Sequence, residues 1–243
     1  MGGDAVANTD SVATPEGGMA IIGSALDAFG RIDILIHSAG NVRRGKLAEL
    51  SYGDFTAVLD VHLKGAYHVL RASFPHMVAQ KYGRIVLTSS INGLYGKSDN
   101  VTYAMCKAGF MGLSNTAAIE GHHHNVKSNL IVPAAVTRMS EGIDTSKFPP
   151  MEPEHVAPMV SYLCHEDCVA SGEMYVAMGG RLARAWIAEN AGICQPEWTL
   201  EAVAGQIDSI RDSGEILAFP PVPDGQMEHL LYGFGMIQKT RNA

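Results

Sequence analysis

Gly83-Arg84-Ile85-Val86-Leu87-Thr88-Ser89-Ser90 is the stretch from which the fold is read. A run of branched apolar residues, bounded by a glycine on one side and hydroxyls on the other, fits a strand of a parallel sheet buried on both faces. Reacting groups in open parallel sheets gather at the carboxyl ends of strands, which is where Ser90 falls. Upstream, Ile32 to His37 is a second apolar strand, leading into the small-residue turn His37-Ser38-Ala39-Gly40.

Downstream lies Tyr103-Ala104-Met105-Cys106-Lys107. Residues four apart on a helix are neighbours, so a phenol and an ammonium share one face. A nearby cation lowers a phenol's pKa from its ordinary value of about 10. Lys107 is therefore expected to acidify Tyr103 enough for proton exchange with an alcohol or carbonyl near neutral pH. Thirteen positions separate Ser90 from Tyr103, enough for a loop and the first turn of a helix.

Together these residues resemble the short-chain dehydrogenase/reductase family, over roughly residues 3 to 190. Ser90, Tyr103 and Lys107 fall on its catalytic Ser and Tyr-x-x-x-Lys positions at the family's spacing. His37-Ser38-Ala39-Gly40 takes the place of its Asn-Asn-Ala-Gly turn, and Asp10-Ser11-Val12 is similar to its adenine-side Asp-x-x element. Ile131-Val132-Pro133-Ala134 stands where the family has a Pro-Gly after a strand, and Thr137 where it often has a Thr near the cofactor amide. His62 replaces an Asn that supports a water-linked proton relay. The runs Tyr82-Gly83-Arg84-Ile85, Val61-His62, Ala118-Ile119-Glu120-Gly121 and Leu163-Cys164-His165-Glu166 resemble one branch in particular. That branch is the dehydrogenase module of peroxisomal multifunctional enzyme type 2, which acts on 3-hydroxyacyl-CoA chains.

The resemblance implies an α/β fold with a Rossmann-like, doubly wound parallel sheet. It implies NAD or NADP held by Asp10, Ser38, Ala39, Gly40, Tyr103, Lys107, Pro133 and Thr137. It implies catalysis by Ser90, Tyr103, Lys107 and His62 on a small-molecule substrate of the acyl-CoA kind. It also implies a homodimer or homotetramer through the apolar faces of helices Phe55–Gln80 and Tyr103–Gly121. Beside these roles stand plainer readings: Ser90 as a strand-end turn hydroxyl, Asp10 as a turn cap and His62 as a plain helix residue.

One departure stands out. The family opens with a strand, a Thr-Gly-x-x-x-Gly-x-Gly turn and a helix whose N-terminus holds the dinucleotide pyrophosphate. Here Gly2-Gly3-Asp4-Ala5-Val6-Ala7-Asn8 resembles the third strand instead, and neither Gly17-Gly18 nor Gly179-Gly180 supplies the turn. The chain is expected to start about two strands late, with family strands 1 and 2 absent. In the family's order 3-2-1-4-5-6-7 the flanking strands would then stand about 14 Å apart. An unpaired Ile32 to Ile36 edge is an association hazard. The Ala5 segment is expected to slide in and pair with it; cover by another chain, or instability, are the other outcomes.

Along the chain, Pro15 to Gly30 reads as a helix capped by Thr14. Ser51 to Lys81 holds a long helix with Phe55, Val58, Leu59, Leu63, Ala66 and Leu70 at helical spacing, kinked at Pro75. Further elements are the strand Arg84 to Thr88, the Tyr103 helix to about Gly121, the strand Lys127 to Val132, the helix Glu154 to His165 and a final strand Gly172 to Met178. Pro133 to Pro153 reads as a substrate loop, long enough to act as a lid. Thr199 to Asp212 reads as an amphipathic helix. The tail with Pro220-Pro221-Val222-Pro223 reads as extended and wrapped over a neighbour. The dehydrogenase part is set at residues 1–190, with 191–243 an extension of the same domain.

At 243 residues, 47% of them apolar, the chain suits one α/β domain with a substantial core. No run approaches the 18 or so apolar residues of a membrane span, no secretory leader is visible, and Thr240-Arg241-Asn242-Ala243 is not a Ser-Lys-Leu-like address. A cytoplasmic setting is expected, with no membrane partner. The net charge is −7, from 18 basic and 25 acidic residues. Arg43-Arg44 with Lys46 is the one basic cluster, so nucleic acid is not an expected partner. The cluster reads as a solvated loop or as a clamp for substrate phosphate or carboxylate. Cys106, Cys164, Cys168 and Cys194 make no disulfide framework. Cys164-His165-Glu166-Asp167-Cys168 lacks the paired elements of structural zinc, and no metal is expected.

Three functions stay open on these residues: an NAD(P)-dependent dehydrogenase of hydroxyacyl or alcohol substrates, a non-catalytic remnant serving as an oligomerisation partner, and a cofactor-independent acid–base enzyme using Tyr103.

Overall fold

The computed structural model describes residues 2–140, 144 and 146–242, and the chain divides into two compact units, Met1–Ala185 and Trp186–Ala243. In the first, α1 (Pro15–Phe29) starts where Thr14 accepts the Gly17 N–H and ends at Gly30. Then follow β1 (Ile34–His37), α2 (Tyr52–Leu59), a π-helical turn at Asp60–Lys64, α3 (Gly65–Gln80) and β2 (Gly83–Thr88). Next come α4 (Ile91–Tyr95), α5 (Val101–Gly121), β3 (Val126–Ala134), α6 (Ala157–Cys164), β4 (Met174–Met178) and β5 (Arg181–Ala185). The sheet order is β1-β2-β3-β4-β5, parallel except for the β4–β5 hairpin. This is the expected α/β fold with a mostly parallel sheet.

Side chains of a strand alternate between faces, and β2 feeds two cores. Ile85 and Leu87 pack with Leu35, Ile22 of α1, Leu70 and Met77 of α3, and Phe110 of α5. Val86 points the other way, to Ile131 and to Met159 and Leu163 of α6. On β1, Leu35 and His37 are buried while Ile34 and Ile36 are about half exposed, because α6 packs against β2 and β3.

Four expectations need correction. The Ala5 segment forms no strand, and β1 pairs with β2 alone among the described residues. Val6 is exposed, and Asn8 bonds to Asp10 and Ser24 instead. The winding of the Ser51–Lys81 helix changes at Asp60–Lys64, while α3 runs on through Pro75. The sheet does not stop at Met178: Gly179 and Gly180, both at positive φ, form a two-residue turn into β5, as a type I′ hairpin requires. The expected lid over 133–153 lies partly outside the described residues, at 141–143 and 145, and its first two residues belong to β3.

The second unit holds β6 (Glu189–Asn190) paired antiparallel with β7 (Ile216–Leu217), α7 (Leu200–Arg211) and α8 (Gly225–Asn242). Thr199 caps α7 by accepting the Ala202 N–H. The tail is helical, not extended: the prolines end at Pro223, Asp224 accepts the Met227 N–H, and α8 follows for 18 residues.

Candidate active site

β2 delivers Ser89 and Ser90 to the carboxyl edge of the sheet. The Ser90 side chain caps α4 by accepting the Asn92 N–H at 3.2 Å, and it lies near enough to the Tyr103 phenol to favour its ionised form. Tyr103 and Lys107 lie in the first turns of α5, one turn apart as the spacing predicts. Lys107 is 4% exposed. Its Nζ donates to the Thr88 carbonyl at 2.5 Å and stands 4.7 Å from the Phe110 ring centroid and 5.5 Å from that of Tyr103. The backbone at Lys107 is clamped too, since Ser89 Oγ donates to its carbonyl at 2.8 Å. Gly93 brings α4 so close that a Cβ there would lie 2.7 Å from the Lys107 carbonyl carbon.

The electrostatics correct one expectation. Burial pushes the Tyr103 phenol up, with Ser90 offsetting part of the rise. Burial likewise lowers Lys107 to about 8. Desolvation disfavours whichever form is charged, and at this edge it outweighs the attraction expected between phenolate and ammonium. Spacing along a helix cannot reveal that.

His62 lies in the π turn, a feature frequent at functional sites. The ring is 1% exposed. Its Nε2 faces the Asn41 backbone, 2.8 Å from the carbonyl oxygen and 3.0 Å from the N–H, donating to the one or accepting from the other according to tautomer; its edge meets Tyr103 at 5.3 Å between centroids, and its Nδ1 has no partner among the described residues. Gly40 explains itself here, because a Cβ at that position would lie 2.5 Å from His62 Cε1.

His37, read in the sequence as the end of a strand and the start of a turn with no role in the site, belongs to the same cluster. It is buried, packs edge-on against Phe110 at 5.8 Å, and leaves Nε2 without a partner. Burial first, and then the Lys107 charge, holds both imidazoles down at about 4. They are neutral at pH 7. The available signal was His37's place at the end of an alternating strand, on the same face as Leu35.

Ser38 lies at this edge, its Oγ 3.4 Å from Thr88 Oγ1, with Ala39 and Gly40 continuing the turn. Pro133 sits near the carboxyl end of β3, opposite Ala177 of β4. Thr137 follows in the exposed loop, its N–H donating to Ser140 Oγ. Asp10 is not drawn into the cluster: it precedes α1, its carboxylate bonded to Asn8. Arg43 pairs with Asp54 and Lys46 with Glu49, both exposed. Among the described residues no three His, Cys, Asp or Glu side chains gather as a metal site.

The residues fit the nicotinamide half of a dinucleotide. Ser38 and Ser90 follow the adjoining strands β1 and β2, Tyr103 and Lys107 stand on the first turns of α5, and Lys107 has three donors, one of them given to the Thr88 carbonyl. For the pyrophosphate half the described residues show no glycine-rich strand-to-helix turn. Gly17 and Gly18 lie inside α1, where a Cβ would strike the Ser11 carbonyl oxygen at 1.9 Å and His68 at 2.7 Å.

Known proteins resemble this chain. The short chain dehydrogenase family model matches residues 2–147. A protein of Mycobacterium tuberculosis named as a short-chain type dehydrogenase/reductase is 44% identical over 196 residues, which is 79% of this chain and 67% of that protein. Peroxisomal multifunctional enzyme type 2 of Drosophila melanogaster is 46% identical over 180 residues, 74% of this chain but 30% of the fly enzyme. The full-length structure of that enzyme superposes with a TM-score of 0.79 at 30% identity, covering 98% of this chain and 42% of that one. The chain thus spans less than half of the multifunctional enzyme it matches. On the family match over residues 2–147 and these relatives, the chain belongs to the short-chain dehydrogenase/reductase family of oxidoreductases.

Proposed function

We propose that this chain interconverts a secondary alcohol and a ketone with NAD or NADP, on a substrate resembling a 3-hydroxyacyl-CoA. The observation that carries the reading is the convergence of Ser90, Tyr103 and Lys107 at one strand end. With Tyr103 raised by burial, its hydroxyl is protonated at neutral pH and is placed as a proton donor to a carbonyl oxygen. Ser90 orients that oxygen by hydrogen bonding. Lys107 would hold a sugar hydroxyl of the nucleotide with the donors that Thr88 leaves free. His62, neutral and edge-on to Tyr103, passes the replacement proton inward. The bound nicotinamide supplies or accepts the hydride.

The acyl-CoA class is supported by the resemblance of Val61-His62 and Leu163-Cys164-His165-Glu166 to the hydroxyacyl branch. Four free cysteines accord with a cytoplasmic setting. The apolar groove between α3 and α5, lined by Tyr67, Leu70, Phe74 and Leu113, accords with a homodimer or homotetramer through those helices.

Titration of the purified chain with NADH and NADPH, followed by nucleotide fluorescence, tests the proposal. Saturable binding below about 1 mM, the upper end of common substrate constants, is expected. Absence of binding at millimolar nucleotide contradicts it.

A further inference from the structure

Asn41 holds both the His62 ring and the helix that leads into it. Its backbone faces Nε2 of the ring, with the carbonyl oxygen at 2.8 Å and the N–H at 3.0 Å. Its side-chain Nδ2 donates to the Ala57 carbonyl at 2.9 Å, in the last turn of α2. α2 runs directly into the π turn at Asp60–Lys64, on which His62 is mounted. The Oδ1 of Asn41 has no hydrogen-bond partner among the described residues, so the donor is the half of the carboxamide in use.

The hold matters because the ring is gripped at one nitrogen. Its Nδ1 has no partner among the described residues, while its plane stands at 83° to that of Tyr103. A Cβ at Gly40 would lie 2.5 Å from His62 Cε1, so the turn after β1 is set hard against the ring. Residues 38–42 lie outside regular structure, and the bond from Asn41 to Ala57 ties them to α2. Without that donor, the backbone facing Nε2 loses its link to the element that carries the ring. Proton transfer needs heavy atoms within about 3.2 Å or one bridging water, and a misplacement of about 1 Å can cost on the order of a hundredfold in rate. We propose that Asn41 is a positioning residue: by tying the turn after β1 to α2, it fixes His62 beside Tyr103. The role rests on the relay proposed above for His62, and Asn41 acts through that ring, not on the reacting atoms.

Steady-state reduction of a 3-oxoacyl-CoA by NADH or NADPH, with histidine-ring NMR of the same isotope-labelled chains, tests it. Asn41→Ala removes the donor, and Asn41→Leu removes it at similar volume. In both, kcat is expected to fall about tenfold, with KM for nucleotide and thioester held within about twofold. The His62 ring nitrogens, assigned by the loss of their signals in His62→Asn, shift in both variants. Adding either change to His62→Asn lowers kcat no further. Turnover absent from the unaltered chain refutes the proposed reaction and this role with it. Turnover present, with His62 signals or kcat per folded chain unmoved by both variants, refutes the role of Asn41 alone. So does full additivity with His62→Asn.

Discussion

The two ends of β2 handle buried charge in opposite ways. At the amino end, Arg84 is 1% exposed, and its guanidinium donates to the carbonyls of Gly83, Asn125, His165 and Glu166 while stacking on Tyr82 at 4.4 Å. Its hydrogen-bonding capacity is nearly used up. At the carboxyl end, six residues along, Lys107 has one hydrogen-bond partner drawn, and His37 and His62 each leave a ring nitrogen without one. Unmet buried polar groups are expensive, so a fold keeps them where something else is to bind. One strand is an anchor at one end and, under the proposed function, a reactive edge at the other.

The largest effect is expected at the anchor. Arg84→Ala takes a donor from four carbonyls, of which those of Asn125 and His165 keep a backbone N–H, and should lower unfolding free energy in urea by on the order of 3 kcal/mol. Nucleotide affinity should be little changed where the fold survives. A loss below about 1 kcal/mol would put the anchor on a level with ordinary surface positions.

The reactive edge should reveal itself through acid. His37 and His62 fall from 6.5 to about 4 on folding. Between those values the unfolded chain binds protons that the folded chain refuses, so stability is complete above pH 6.5 and is lost as pH falls towards 4. The loss is expected to reach a few kcal/mol for the pair. Paired His37→Asn and His62→Asn replacements should flatten the slope of unfolding free energy between pH 7 and 5. An unchanged slope would assign acid sensitivity elsewhere.

The smallest effect concerns Lys107. With its ammonium titrating at about 8, raising the pH from 7 to 9 should remove most of its charge. Nucleotide affinity is then expected to weaken roughly three- to tenfold. Stability moves the other way: between about 8 and 10.5 the unfolded chain holds a proton that the folded chain has released, so folding gains as pH rises. Affinity flat across this range would remove Lys107 from the nucleotide site.

The anchor and the edge were not equally legible. β2 could be read because a branched apolar run between Gly83 and Ser89-Ser90 has few other structures open to it. Tyr103 and Lys107 could be placed together because helical spacing is fixed. Arg84's role was hidden, since its carbonyl partners lie some 40 to 80 positions away on loops. The direction of Tyr103's shift was hidden for a related reason: burial depends on what α4 and β2 bring against α5. Local composition also misled. The prolines at 220–223 masked the apolar period that begins at Met227, and alternating Arg181-Leu182-Ala183-Arg184-Ala185 concealed an edge strand with polar exposure.

The reactive edge rests finally on one hydroxyl. Oxidation of NADH or NADPH by a 3-oxoacyl-CoA, measured by absorbance with the unaltered chain and with Tyr103→Phe, tests it directly. The account predicts turnover by the unaltered chain and a fall of at least about a hundredfold in kcat for the variant, with nucleotide binding retained. Equal turnover by both chains would contradict it.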